Sequence, residues 1–273
     1  MPEIDPQEIL AAVKQNRDYA QLSNQLILNI IAAESGNAKS KKDLIKSVRS
    51  KLHQVGNAYY PQSIDYAQLI SDLESLPPDP DDDDVKGNIV KVLGLHASTR
   101  ERLPFYMEMM ETLLDSIGAF TSIQDLACGF NPLAYLQFPQ LRAAKISACD
   151  IYSDQIAYLN SFFRHFGMNA EACLCDLSSE IPTDHNDVTL LFKTIPCLEQ
   201  LDKQIGRKLL ASLNTEHLVA TFPVASLSGK SKGMRENYAA HFRGLIDETM
   251  WRVRRFDFPG ELAFVLSRRG VSQ

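Results

Sequence analysis

Ser122-Ile-Gln-Asp-Leu-Ala-Cys-Gly-Phe-Asn-Pro132 is the stretch on which the fold turns. Ile123 to Ala127 is a short apolar run of strand length, and Cys128-Gly129-Phe130-Asn131-Pro132 is a turn that a helix can follow. A strand ending in Asp-x-x-x-Gly suits a pocket for a dinucleotide or for S-adenosylmethionine (SAM). The glycine omits a Cβ where backbone must approach the ligand. Three more segments fall at the spacings this reading needs: an acidic strand end at Asp150, Cys175-Asp176-Leu177, and Leu191-Phe-Lys-Thr-Ile-Pro196.

Downstream of residue 120 the pattern alternates. Apolar strands are expected at 122–127, 145–150, 171–175, 187–193, 217–223, 250–257 and 261–267, with helices at 132–140, 154–166, 202–214 and 234–248. Such alternation implies a mostly parallel sheet with right-handed crossovers. Only Pro259-Gly260 separates the last two strands tightly, so they form an antiparallel hairpin. Five parallel strands plus a hairpin give a seven-stranded, Rossmann-like α/β methyltransferase fold, whose ligands bind at the carboxyl ends of the strands.

Upstream the periodicity is helical. Helices are expected at 7–34, 40–55, 63–76, 85–95 and 98–117, with Pro104 kinking or splitting the last. Ser40 with Asp43 caps the second and Gly56 stops it. Pro77 to Asp84 reads as an acidic linker. Residues 1–105 are therefore a helical N-terminal module and 106–273 the sheet domain.

The sequence has 273 residues, 45% of them hydrophobic, ample for a sizeable core, and no apolar run long enough to span a membrane. Its start is acidic and lacks the layout of a secretory signal, so a cytoplasmic protein is expected. The five cysteines, at 128, 149, 173, 175 and 197, form no CxxC pair and read as reduced core residues, without metal. Net charge is −6, yet its distribution matters more than its sum. Lys39, Lys41, Lys42, Lys46, Arg49 and Lys51 form one basic group; Lys230, Lys232, Arg235, Arg243, Arg252, Arg254 and Arg255 form another. Solvated faces would explain either group, but together they flank the pocket segments and point to RNA as substrate.

The chemistry follows from the strand ends. Gly129 brings backbone N–H groups to the amino-acid end of a SAM molecule. Asp150 accepts from both ribose hydroxyls, with a helix cap as the competing role. Asp176 accepts from the adenine amino group, again against a capping role shared with Ser178 and Ser179, and Leu177 offers its backbone N–H to the ring. In His96-Ala-Ser-Thr-Arg-Glu-Arg102, Ser98 and Glu101 read as a capping box. That leaves Arg100 or Arg102 to hold the cofactor carboxylate. Lys193-Thr-Ile-Pro-Cys-Leu-Glu199 closes the fourth strand and faces the methyl donor. It has neither the (N/D)PP(Y/F) motif of amino-group methyltransferases nor the paired cysteines of pyrimidine C5 enzymes. A purine N7 carries no proton, so transfer to it requires placement rather than a general base.

His96 to Pro104 (HASTRERLP), Asp125 to Pro132 (DLACGFNP), Cys149 to Tyr152 (CDIY), Cys175 to Leu177 (CDL), Leu190 to Glu199 (LLFKTIPCLE) and Phe222 to Met234 (FPVASLSGKSKGM) together resemble the aminoglycoside-resistance 16S rRNA methyltransferases of the Arm/Rmt/Sgm type. The resemblance runs from about residue 46 to the C-terminus. It implies methylation at N7 of the guanine numbered 1405, in the assembled 30S subunit, by a monomer whose helical module docks on rRNA. Carried over by residue, it implies Arg102 or Arg100 at the cofactor carboxylate and Ala127 with Gly129 in the SAM loop. Asp150 with Ile151 falls at the ribose, and Asp176 with Leu177 at the adenine. Lys193, Pro196, Glu199, Lys230 and Met234 fall beside the target base. Lys42, Lys46, Arg49, Lys51, Lys230 and Lys232 are expected to contact phosphates. Gln200 and Ala225 stand where some members carry a basic residue, which implies fewer phosphate contacts and a flatter salt dependence. A small-molecule methyltransferase with a helical lid, or an inactive SAM-fold assembly factor, is the alternative reading.

Overall fold

In the computed structural model, which describes residues 5–56, 59–60, 63–224 and 233–270, all seven expected strands form one sheet. They are β1 (Ser122–Leu126), β2 (Lys145–Asp150), β3 (Ala170–Leu174), β4 (Asn186–Phe192), β5 (Thr215–Pro223), β6 (Trp251–Asp257) and β7 (Glu261–Arg268), in the order β3-β2-β1-β4-β5-β7-β6. The first five pair in parallel; β7 runs antiparallel to both β5 and β6. β1 has β2 on one side and β4 on the other, so the chain reverses its direction of travel across the sheet there. That reversal opens a crevice at the carboxyl ends of β1 and β4.

Both sheet faces are covered, which explains the unbroken apolar runs. Along β7, Leu262, Phe264 and Leu266 enter a core shared with the helices after β4 and β5, while Ala263 and Val265 enter a core on the opposite face. The two edge strands are the exceptions: Glu171, Cys173 and Leu174 of β3 are exposed, as are Arg252 and Asp257 of β6. Cys173 is therefore not a core residue, unlike Cys128, Cys149 and Cys175.

The helices are α1 (Pro6–Lys14), α2 (Asn24–Ser35), α3 (Lys41–Val55), α4 (Tyr66–Glu74), α5 (Asp83–Leu93), α6 (Ala97–Arg102), α7 (Tyr106–Ile117), α8 (Pro139–Ala143), α9 (Ser153–His165), α10 (Thr194–Leu198), α11 (Ile205–Ser212) and α12 (Met234–Leu245). Several depart from expectation for local reasons. Residues 7–34 are two helices, because Asn16 caps a 3-10 turn at Arg17–Tyr19 and Ser23 starts α2 by accepting from Leu26 N–H. The acidic linker is half a helix start. Asp82 accepts from the N–H groups of Asp84 and Val85, and Asp83 and Asp84 sit at the positive end of α5. Pro104 does split the helix, through a 3-10 turn at Leu103–Phe105. Ser40 caps α3 as expected, accepting from Asp43 N–H at 3.2 Å. Gly56 ends it, but for a different reason than a left-handed cap. Its φ is −143°, and a Cβ there would lie 2.7 Å from the Tyr152 hydroxyl.

Apolar residues of α1 to α3 form a core of their own, joined by Tyr152, whereas those of α4, α5 and α7 belong to the sheet core. The first core is fastened to the turn after β2. Ser23 N–H donates to the Ile151 carbonyl at 2.9 Å, and Ser153 N–H to the Gln21 carbonyl at 3.0 Å.

Candidate active site

An open cleft lies at the carboxyl ends of β1, β2 and β4. Its floor comes from Ala127, Gly129, Asp150, Ile151, Asp176 and Leu177, as the sequence led us to expect. One side is Phe192, Lys193 and Thr194; the other is Leu26, Val55, Gly56, Tyr59 and Tyr60 from the helical module, with His96 and Ser98 between.

The floor is built from unusual backbone. Ala127 (φ 56°) and Lys193 (φ 57°) are the two non-glycine residues with left-handed backbone among the described residues, and both end a strand at the cleft. Such backbone costs of order 1 kcal/mol each and clusters at functional sites. Gly129, at φ 54°, turns its N–H onto Asp150 Oδ2 at 2.8 Å, and a Cβ on it would meet the His96 ring at 3.1 Å. Ile151 N–H donates to Asp150 Oδ1 at 2.7 Å. Each carboxylate oxygen keeps a free lone pair, as two ribose hydroxyls require. Burial raises the Asp150 pKa above its ordinary value, and the two backbone N–H bonds, with the nearby Gln155 amide after them, work against that rise.

Beneath this turn lies Asp125, fully buried, accepting from Tyr135 Oη at 2.6 Å and Asn131 Nδ2 at 3.0 Å. Burial pushes it up to about 6, opposed by those hydrogen bonds. It anchors the segment after Gly129 rather than facing the cleft. Asp176 takes the capping role and also borders the cleft. It accepts from Ser178 N–H at 2.9 Å and Ser179 Oγ at 3.1 Å. A third donor, Asn29 Nδ2 on α2 at 3.1 Å, was not foreseen, since nothing in the sequence pairs positions 29 and 176.

The capping box at Ser98 and Glu101 does not form. His96 is the N-cap residue of α6, with no side-chain cap, because the helix begins one residue early. Ser98 lines the cleft, and Glu101 accepts from Lys193 Nζ at 3.0 Å. Arg100 is exposed, reaches the Gly94 carbonyl and does not line the cleft. Arg102 is 1% exposed and stands one layer behind the wall. Its Nε donates to Glu261 Oε1 at 2.7 Å, and its guanidinium lies 4.8 Å over the Phe192 ring. Burial opposes its charge, but Glu261 more than offsets this and holds its pKa above the ordinary value. The same Glu261 oxygen is 3.3 Å from Lys193 Nζ. Lys193 thus lines the cleft as a clamped ammonium. Arg102 Nη2 and His96 Nδ1 have no hydrogen-bond partner among the described residues.

The other expected target-base residues are less central. Pro196 is half-buried within α10, a short helix the sequence reading missed because it begins at a strand end and contains proline. Glu199 is turned away, its carboxylate held by His241 Nε2 at 2.8 and 2.9 Å. Met234 opens α12 after Gly233 and is half-buried outside the cleft wall. On α3, Lys42 and Lys46 are exposed. Arg49 is half-buried, and its Nη2 donates to the Ala12 carbonyl at 2.8 Å, so it ties α3 to α1 and is less available to a phosphate than its neighbours. Lys51 reaches the carbonyl of exposed Gln200 at 3.3 Å, beside the cleft. Lys230, Lys232 and Ala225 lie outside the described residues.

His96 yields a pH prediction. Burial, then the charges of Arg102, Lys193 and Arg100, push it down to about 3, whereas an unfolded histidine ionises near 6.5. The folded state refuses a proton that the unfolded chain accepts. Its contribution is therefore fully present above pH 6.5 and is lost as pH falls from there towards 3. Urea unfolding should lose at most about 1.4 kcal/mol per pH unit below 6.5 through this residue. His96→Gln should flatten that slope; an unchanged slope in the variant refutes the assignment.

A seven-stranded sheet of this order, with a glycine turn and a ribose-type acid at the switch point, defines a SAM-dependent methyltransferase. The residues fit that cofactor: Gly129 leaves the space a Cβ would fill, Asp150 keeps its lone pairs, and Lys193 lines the wall in front of Arg102. The family described as "Ribosomal RNA methyltransferase (FmrO)" matches residues 15–265, and the chain belongs to it. It is 30% identical to a "16S rRNA (guanine(1405)-N(7))-methyltransferase" of Serratia marcescens over 96% of this chain and 98% of that one. A protein of the same description from Frankia casuarinae is 30% identical over 94% and 91%. Among solved structures, the 16S rRNA methyltransferase RmtF in complex with S-adenosyl-L-homocysteine superposes with a TM-score of 0.83 at 30% identity, covering 98% of this chain and 99% of that one.

Proposed function

We propose that this chain transfers a methyl group to N7 of the guanine numbered 1405 in 16S rRNA, within the assembled 30S subunit, and so gives aminoglycoside resistance. The observation that carries the reading is the near-full-length similarity to relatives of that description. The acids of the cleft wall support it: Asp150 and Asp176 are both engaged by donors, as cofactor ligands rather than proton acceptors. When bound, SAM supplies an electrophilic methyl on a sulfonium, and N7 attacks it without losing a proton. The chain's part is placement. Asp150 orients the ribose, Asp176 and Leu177 the adenine, and Lys193 with Arg102 behind it the carboxylate end. Residues 1–105 dock on rRNA as a monomer in the cytoplasm, with the exposed Lys42 and Lys46 of α3 on phosphates. Within that module α1 to α3 have a core of their own, which supports reading them as a unit that can present α3 to the RNA.

Labelled SAM offered with 30S subunits, free 16S rRNA and small amines tests the substrate class. Label should enter the 30S subunit. Label in the small amines alone would establish the small-molecule reading, and label nowhere, with cofactor bound, the inactive one.

A further inference from the structure

Gln155, in the first turn of α9, is fully buried, yet it is polar and lies outside the cleft wall. A buried amide is costly unless both ends are satisfied. Its Nε2 donates to the Gly129 carbonyl at 2.8 Å, and its Oε1 accepts from the Tyr60 hydroxyl. The orientation is forced from both sides. A carbonyl can only accept, so the NH₂ end must face Gly129. Burial raises the Tyr60 pKa well above its usual value, so the phenol keeps its proton and donates to the other end. Gly129 is the residue whose left-handed backbone turns its N–H onto Asp150. Tyr60 lies in the linker between α3 and α4 and lines the cleft.

We propose that Gln155 is a positioning residue of the cofactor site, and that Tyr60 orients it. Together they form a relay from the helical module to the glycine turn: holding the Gly129 carbonyl fixes the peptide that follows Gly129, and with it the left-handed backbone of the residue whose own N–H, on the preceding peptide, donates to Asp150. The inference rests on the cleft being the SAM site. Turn geometry is local and its strain stored, so losing the bond that fixes the carbonyl lets the turn relax and loosens Asp150. The module that lines one side of the cleft thereby also reaches the backbone of the glycine turn.

Calorimetric titration of the full-length protein with S-adenosylhomocysteine tests this. Gln155→Leu should weaken binding about 10-fold or more, the loss of a buried hydrogen bond plus an unpaired carbonyl. Tyr60→Phe, which changes no buried volume, should weaken it several-fold. The double variant should bind no worse than Gln155→Leu, because both act through one contact. At saturating SAM, methyl transfer by Tyr60→Phe should be unchanged while its KM for SAM rises. Effects that multiply in the double variant, or a Tyr60→Phe that binds as the wild type does, would overturn the relay. Should Gln155→Leu fail to fold, the Tyr60→Phe affinity and its KM-against-kcat split decide alone. A wild-type protein that does not bind S-adenosylhomocysteine would instead overturn the cofactor reading itself.

Discussion

Asp150→Ala is expected to weaken S-adenosylhomocysteine binding about 100-fold while leaving the protein folded. The carboxylate sits where β2 ends, fixed by the N–H groups of Gly129 and Ile151 at 2.8 and 2.7 Å. Two charge-assisted hydrogen bonds to the ribose, at roughly 1.5 kcal/mol or more each, account for that factor. The fold should tolerate the change. Burial raises the Asp150 pKa, so ionising it in place has a cost that the variant no longer bears. Circular dichroism and thermal unfolding would check the fold, and calorimetry the affinity. An affinity within three-fold of wild type would remove Asp150 from the cofactor site.

Reversing Lys42 and Lys46 together should have an effect as large, but on the other substrate. Both are exposed on the polar face of α3, whose apolar residues Leu44, Val48 and Leu52 are buried in the module's own core. The double change to glutamate alters the local charge by four units, replacing two phosphate contacts by repulsion. Methylation of 30S subunits should fall of order 100-fold or more, with a shallower dependence on salt. Affinity for S-adenosylhomocysteine should stay within two-fold, because neither residue lines the cleft. Equal loss of cofactor binding would contradict this division of labour. Arg49 does not belong in the experiment, since its bond to the Ala12 carbonyl ties α3 to α1 and its replacement would mix a structural effect with the charge effect.

These residues also mark where the sequence was legible. The strands were readable because apolar runs bounded by glycine and proline leave few alternatives in a doubly covered sheet, and their observed ends lie within two residues of expectation. Gly129, Asp150, Asp176 and Leu177 were readable because strand ends fix position by spacing alone. What was not legible depends on contacts distant in sequence. Glu101 satisfied a capping pattern, yet Lys193, 92 residues away, claims it. Arg49 follows Lys46 along the polar side of α3, but its guanidinium reaches back to the Ala12 carbonyl of α1. Glu199 follows the methyl-transfer strand, and His241 on α12 turns it aside. The roles of Asn29, Tyr60 and Gln155 as donors and acceptors behind the cofactor site arise only once the module is seated on the turn after β2.

One measurement bears most directly on the whole account: mapping the methyl group after the protein acts on 30S subunits with SAM. Reduction and strand scission specific to N7-methylguanine, followed by primer extension across the decoding site, should give a single new stop at guanine 1405 that disappears with the Asp150→Ala protein. Methyl groups at another atom or another nucleotide, with no scission at 1405, would contradict it.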